Sequence, residues 1–148
     1  MILEDLSKAE LINIIRDLQR DKLTGFYRRE KINELIKHYY IVAMLDINNL
    51  KIVNDKLGHC EGDKLIQNVA KSIRASIRKS DVVIRYGGDE FVIIFDDCTI
   101  NQVETIVSRI DYVSYGIGES NCFDRALKIA DANMYLHKEI MHKVCCNI

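Results

Sequence analysis

VVIRYGGDEFVIIF (82–95) decides how the rest of the 148-residue chain is read. Two β-prone apolar runs, VVIRY (82–86) and FVIIF (91–95), flank GGDE. The pattern predicts a β-hairpin whose glycines supply the positive φ angles of a tight turn. Upstream, YIVAMLDI (40–47) is nearly all apolar, as expected of a central strand buried on both faces. Between these strands, Leu65, Ile66, Val69, Ala70, Ile73 and Ile77 form one stripe at helical spacing, predicting a helix over 61–79.

Working outward, residues 100–109 read as a helix, 112–118 as a strand and 123–140 as a last helix. The order from residue 40 is then β-α-β-β-α-β, a ferredoxin-like split βαβ arrangement in the α+β class. It implies an antiparallel sheet with flanking helices, placed on one face, and brings the end of 40–47 close to the turn at 87–90. Upstream of residue 40, the periodicity of Leu11, Ile14, Ile15 and Leu18 predicts an amphipathic helix over 2–20. Gly25 breaks it within DKLTGF (21–26), and a second helix is expected at 28–38. NNLKIVNDKLGH (48–59) reads as a short helical turn. The 2–20 stripe is too short for a sustained coiled coil and reads as a docking helix able to meet a second subunit. The division is thus an N-terminal helix, 1–20, and one domain, 21–148.

Composition sets the outer limits. Hydrophobic residues at 48% and charged residues at 29% are ordinary for a globular chain and exclude a disordered one. A net charge of -1 argues against a nucleic-acid-coating protein. The longest apolar run, in 40–47, falls far short of the ~20 residues of a membrane span, and no targeting segment is evident. Five cysteines, odd in number and without zinc spacing, read as free thiols in a reducing cytoplasm.

The chemistry gathers where 40–47 and the hairpin meet. Asp46 ends a buried strand, and buried carboxylates need partners. With Asp89 and Glu90 on the turn it forms a hard-oxygen set suited to Mg²⁺. Gly87 and Gly88 leave room for a polyphosphate against the backbone, and Lys51 stands near enough to neutralise it. Metal-assisted phosphoryl or nucleotidyl transfer fits this set. So does an ordinary acidic hairpin with a helix-capping aspartate, and spacing alone leaves both open.

Six ordered motifs add a resemblance. RYGGDEF (85–91) resembles the signature of the GGDEF diguanylate cyclases. DKLTGF (21–26), LDINNLKIVNDKLGHCEGD (45–63), RKSD (78–81), SYGIG (114–118) and ADANMYLHK (130–138) resemble further motifs of that family at matching spacing. The resemblance covers about residues 21–143. It implies a palm domain of the nucleotide cyclase and polymerase type, which condenses two GTP into cyclic di-GMP and two pyrophosphates across a homodimer. It implies two Mg²⁺ or Mn²⁺ ions per active site, held by Asp46, the Ile47 carbonyl and Asp89, with Glu90 close by. Asp89 is also placed to assist deprotonation of the attacking 3′-hydroxyl. Asn54 and Asp63 would bind guanine, Lys51 and Lys138 the triphosphate. Arg78 and Asp81 would bind product and inhibit.

Departures from the family pattern are specific. Asn48 replaces an Asp, Arg28 an Asn, Leu50 a Phe, and His142 stands near a position that is usually Arg. Only 22 residues, 92–113, separate Phe91 from Ser114, fewer than the family has. The chain therefore reads as a minimal, stand-alone member. Two other readings stay open: a minimal cyclic-dinucleotide synthase of an antiviral system using ATP or mixed nucleotides, and a degenerate domain that only binds nucleotide.

Overall fold

The computed structural model describes residues 6–35 and 37–146. Five strands form one sheet in the order β1-β3-β4-β2-β5. They are β1 (Tyr27–Arg28), β2 (Tyr40–Ile47), β3 (Val82–Arg85), β4 (Glu90–Phe95) and β5 (Val113–Ser120). β2 lies between β4 and β5, antiparallel to both, as the apolar run at 40–47 requires of a central strand. Its alternate residues serve two cores. Ala43, Leu45 and Ile47 join one cluster, and Tyr40, Val42 and Met44 join the other.

Helices therefore cover both faces of the sheet, not one. The first core is closed by α3 (His59–Ser76) and α4 (Ile100–Val107), through Ile66, Val69, Ile73, Val103 and Val107. The second is closed by α5 (Phe123–Cys146), through Ala126, Ala130 and Met134. Each fully buried Ile or Leu contributes roughly 1.5–3 kcal/mol through removal of its apolar surface from water. A strand apolar on both faces can satisfy that gain only between two layers, so the two-sided burial of 40–47 already implied this outcome.

The N-terminal third differs most from expectation. The segment 28–38 is not an α-helix. Tyr27 and Arg28 pair in parallel with Ile84 and Arg85, the one parallel pairing in the sheet, and a short 3-10 helix follows at Arg29–Glu34. Pairing with β3 overrides the helical composition, and the chain is already extended at Leu35. Ile36 lies outside the described residues. Ahead of it, α1 (Lys8–Leu18) starts at 8 because Ser7 and Glu10 form a capping box. Residues 2–5 of the expected helix lie outside the described residues. No residue of α1 is buried, and Ile14, Ile15 and Leu18 are exposed, so among the described residues the apolar stripe of α1 is left uncovered.

The remaining elements are close to their expected positions. α2 (Leu50–Leu57) and α3 meet at Gly58, whose φ of 89° turns the chain sharply between them. α4 is capped by Thr99 and Gln102. α5 runs beyond residue 140 to Cys146, carrying its last turns past the end of β2. Leu50 is buried in the first core, so the apolar function of the position is kept.

Candidate active site

Strand register assembles the acidic cluster. Asp46 and Glu90 are direct partners across the β2–β4 ladder, and Asp46 faces Ser114 on its other side. The turn is tied to the end of β2 by the Ile47 amide, which donates to the Asp89 carbonyl at 2.9 Å. Tyr86 and Gly87 both donate to the Glu90 carbonyl, closing the hairpin. Neither Gly87 nor Gly88 has a positive φ, contrary to the expectation from turn chemistry. A Cβ at Gly87 would lie 2.7 Å from Glu90 Oε2, so a larger residue there would displace the end of the Glu90 side chain. Gly88 has open space around it.

The acids are electrostatically crowded. Burial pushes the Asp46 carboxyl above the usual carboxylate range, Lys138 opposes that shift, and Asp89 adds to it. Lys138 Nζ sits 2.9 Å from Asp46 Oδ1. Burial likewise raises Glu90, and Asp89, Asp46 and Asp131 push it further. Carboxylates that raise one another gain most from a nearby cation. The described residues contain no closed group of three His, Cys, Asp or Glu side chains around one point. The donor set nonetheless fits a hard divalent ion, which binds through one or two carboxylates and completes its shell with water and substrate oxygens.

Beside the acids lies a cavity of about 420 Å³, lined by Asp46, Asn48, Asn49, Lys138, His142 and Cys145. Lys138, His142 and Cys145 share one face of α5, so the length of that helix forms one wall. Asn48 lines this cavity beside Asp46. Its side-chain oxygen accepts from Ser114 Oγ at 2.7 Å and its amide donates to the Tyr112 carbonyl. The side-chain oxygen is thus hydrogen-bonded where the family pattern has an acid. Lys51 is exposed on the first turn of α2 and does not line this cavity.

Asn54 and Asp63 form a second locus, where α2 meets the first turn of α3. The Asn54 side chain lies directly over Gly62, with Oδ1 1.8 Å from where a Cβ would stand. Asp63 is exposed next to it. Gly62→Ala should displace Asn54 while favouring the helix. If Asn54 contacts guanine, as the resemblance implies, the expected result is a folded protein whose guanine nucleotide affinity falls about tenfold, the effect of losing one hydrogen-bonding group. Calorimetric titration with a non-hydrolysable GTP analogue checks this, and unchanged affinity would count against the Asn54 assignment.

Arg78 and Asp81 lie apart from both loci. The Asp81 side chain is fully buried, accepting from the amides of Arg78 at 2.9 Å and Asp96 at 3.2 Å. Arg78 is half exposed, donating to the Asp96 carbonyl and touching Cys98 Sγ. Arg20, Arg74 and Lys79 line the same shallow recess of about 280 Å³. Cys60, Cys98, Cys122 and Cys145 are free thiols. Arg28, another departure, donates to the Arg20 carbonyl.

Sequence reasoning missed three participants. Asp131 enters the field on Glu90 from α5. Its position seven residues before Lys138 on one helix face was a readable signal. Arg85 and Asp21 bind each other at 3.0 Å behind the turn, and Arg85 also donates to the Gly88 carbonyl at 2.8 Å. Their residues stood in two of the quoted motifs, but no local pattern links positions so far apart in the chain.

The sheet order, the two helical layers and the acid-lined cleft at one sheet end define a palm-like α+β domain. The family described as "Diguanylate cyclase, GGDEF domain" matches residues 18–115. The chain is 33% identical over 152 residues to the probable diguanylate cyclase DgcJ of Escherichia coli (strain K12), covering 86% of this chain and 31% of that protein. It is 38% identical over 107 residues to the cyclic di-GMP phosphodiesterase NbdA of Pseudomonas aeruginosa, covering 65% of this chain and 14% of that one. The coiled coil and GGDEF domain of DgcB from Caulobacter crescentus, solved with c-di-GMP, superposes with a TM-score of 0.81. That match is at 25% identity, over 89% of this chain and 86% of that one. The chain belongs to the GGDEF diguanylate cyclase family. It spans less than a third of the length of DgcJ and of NbdA. Among the described residues no helix is long and apolar enough to cross a membrane.

Proposed function

We propose that this domain is a diguanylate cyclase, each protomer of a homodimer binding one GTP. The observation that carries the reading is the pairing of Asp46 with Glu90 at the mouth of a cavity that also presents Lys138 and His142. Asp46, Asp89, Glu90 and the Ile47 carbonyl are the groups assigned to hold two Mg²⁺ or Mn²⁺ ions. Bound there, the ions supply charge neutralisation on the α-phosphate and on the leaving pyrophosphate.

The chain's own groups do the rest. Lys138 sits where it can exchange its contact with Asp46 for a triphosphate oxygen, and Lys51 meets the phosphates from the α2 side. Gly87 and Gly88 let the triphosphate approach the turn. Asp89 takes the proton from the 3′-hydroxyl, which then attacks the α-phosphate of the GTP on the facing protomer. The second, reciprocal attack closes the ring and releases the second pyrophosphate. Asn54 and the Asp63 carboxylate read guanine, since its N1–H and N2–H₂ edge donates where adenine presents an acceptor at N1. A product of this size carries two phosphates, and the recess beside Arg78 offers several cations to meet them, with buried Asp81 setting the loop that carries Arg78.

Mass spectrometry of products made from each nucleoside triphosphate, singly and mixed, tests this reading, with Asp89→Ala as control. Cyclic di-GMP from GTP alone, lost in the control, is the expected result. An adenine-containing product would move the domain to the synthases using ATP or mixed nucleotides, a reading favoured by an α4 of only 8 residues. No product from folded dimer would leave a nucleotide-binding module. Arg78→Ala should relieve product inhibition, raising the inhibition constant at least about tenfold without altering the initial rate. An unchanged constant would remove Arg78 from the product site.

A further inference from the structure

β5 is the last strand of the sheet, and among the described residues no strand pairs with its outer edge. Edge amides and carbonyls need other partners, and α5 supplies two. The Asn133 side-chain amide donates to the Ile117 carbonyl at 2.7 Å, and the Tyr115 amide donates to His137 Nδ1 at 3.2 Å. Asn133 and His137 stand at i and i+4, so both project from one face of the helix. With Nδ1 accepting, the neutral ring carries its proton on Nε2. The Tyr115 ring lies against the imidazole, with centroids 4.7 Å apart. Its hydroxyl donates to Glu104 Oε1 of α4 at 2.6 Å. Burial, and then Glu104, push that hydroxyl up to about 12, so it remains a donor.

The place of His137 along α5 gives this bond its importance. Ala126, Ala130 and Met134 are buried against the sheet. From 135 to 145 no residue is buried, and only His137 and Lys138 are partly so. Apolar burial therefore stops one turn before Lys138. Among the described residues, two polar contacts tie the helix to the sheet from there: His137 to the Tyr115 amide, and Lys138 to Asp46 at 2.9 Å. They fall side by side, because Tyr115 lies opposite Leu45, the neighbour of Asp46. When Lys138 leaves Asp46 for a triphosphate oxygen, the bond at Tyr115 is the one that stays. We propose that His137 is a positioning residue: by accepting from the Tyr115 amide it fixes the last turns of α5, so that Lys138 and His142 keep facing the cavity while Lys138 changes partner. The proposal rests on the reading of Lys138 as a phosphate contact.

The test compares His137→Gln with His137→Asn. Asparagine can place its amide oxygen where the imidazole has Nδ1, and glutamine where it has Nε2, so only asparagine keeps the acceptor in place. Helix propensity favours glutamine, so a merely structural role predicts the opposite order. Tyr115→Phe, which keeps the amide and the ring, is the control. Amide exchange is followed by mass spectrometry, and affinities for a non-hydrolysable GTP analogue with Mg²⁺ and for GMP by calorimetry. His137→Gln should quicken exchange in 137–146 while 123–134 stays protected, and should weaken the GTP analogue about fivefold, the worth of one hydrogen bond. GMP, which lacks the β- and γ-phosphates, should bind as before. His137→Asn should recover most of both losses, and Tyr115→Phe should show neither. Asparagine no better than glutamine, or an equal loss for GMP and for the triphosphate, would overturn the proposal. So would unchanged exchange of 137–146 in His137→Gln. If the unaltered protein binds no GTP analogue, the phosphate reading of Lys138 fails, and the order of exchange among the variants still decides whether His137 fixes the end of α5.

Discussion

Asp46→Asn should abolish cyclic dinucleotide formation and, in the absence of divalent cations, raise the melting temperature. The first effect follows from the place of Asp46 in the proposed cation site. Several kcal/mol of charge stabilisation at about 1.4 kcal/mol per decade predicts a loss of at least about 10³-fold in turnover. The second follows from the sign of its pKa shift. The folded Asp46 carboxyl is raised above the usual range by burial and by Asp89, with Lys138 only partly offsetting them. A group shifted upward favours folding when protonated, and that contribution is lost as pH rises through the folded-state value. At neutral pH the ionised carboxylate is therefore a burden on the metal-free fold, and Asn removes it. Glu90 is shifted in the same direction by burial and by three neighbouring acids. Glu10, Asp21 and Asp96 are shifted downward and act with the opposite sign, so the readout is the difference: in thermal melts in a chelating buffer from about pH 4 to pH 7, the melting temperature of Asp46→Asn should gain on that of the unaltered protein as Asp46 ionises. Added Mg²⁺ should raise the melting temperature of the unaltered protein and not that of Asp46→Asn. A variant that melts lower than the unaltered protein in chelator, or that retains product formation, would contradict the assignment.

That coupling of acids could be read from the sequence only in outline. The strand at 40–47 was legible because it is apolar on both faces, and the hairpin because two apolar runs flank four turn residues. Together they bring Asp46 opposite Glu90, since register follows once the hairpin closes on β2. The two-layer covering of the sheet was implied by the same burial pattern but hidden by the split βαβ template, which placed helices on one side. β1 was not legible: two residues carry no periodicity, and only contact with β3 makes Tyr27 and Arg28 a strand. The positive φ expected of Gly87 and Gly88 is not found, and a Cβ at Gly87 would instead meet the end of the Glu90 side chain. Asn48 seemed a lost charge, and the structure gives its oxygen to Ser114, a residue in another strand. The stripe on α1 was read correctly as amphipathic, but amphipathicity does not say whether its partner lies in the same chain.

Gly116→Ala should be the most damaging single methyl in the domain. β5 packs so tightly under α5 that a Cβ at 116 would lie 2.1 Å from both the Ala130 carbonyl oxygen and the Met134 amide nitrogen. Both are backbone atoms of one helix, so no rotamer change can relieve them. Gly118→Ala meets the Ala130 amide and the Ala126 carbonyl in the same way. Overpacking of this kind costs about 3 kcal/mol or more, which urea denaturation should report as a shifted midpoint at unchanged slope. The helix that must move is the one that carries Lys138 and His142 into the cavity beside the acids. Where Gly116→Ala still folds in the cold, nucleotide binding should therefore be lost even though residue 116 lies outside that cavity. Gly88→Ala separates fold from ligand in the opposite sense. Nothing stands within 4 Å of its Cβ and its φ is not positive, so stability should change by about 0.5 kcal/mol or less. Any loss of nucleotide turnover in that variant then reports a ligand approaching the turn, whereas full activity would mean that the triphosphate passes elsewhere.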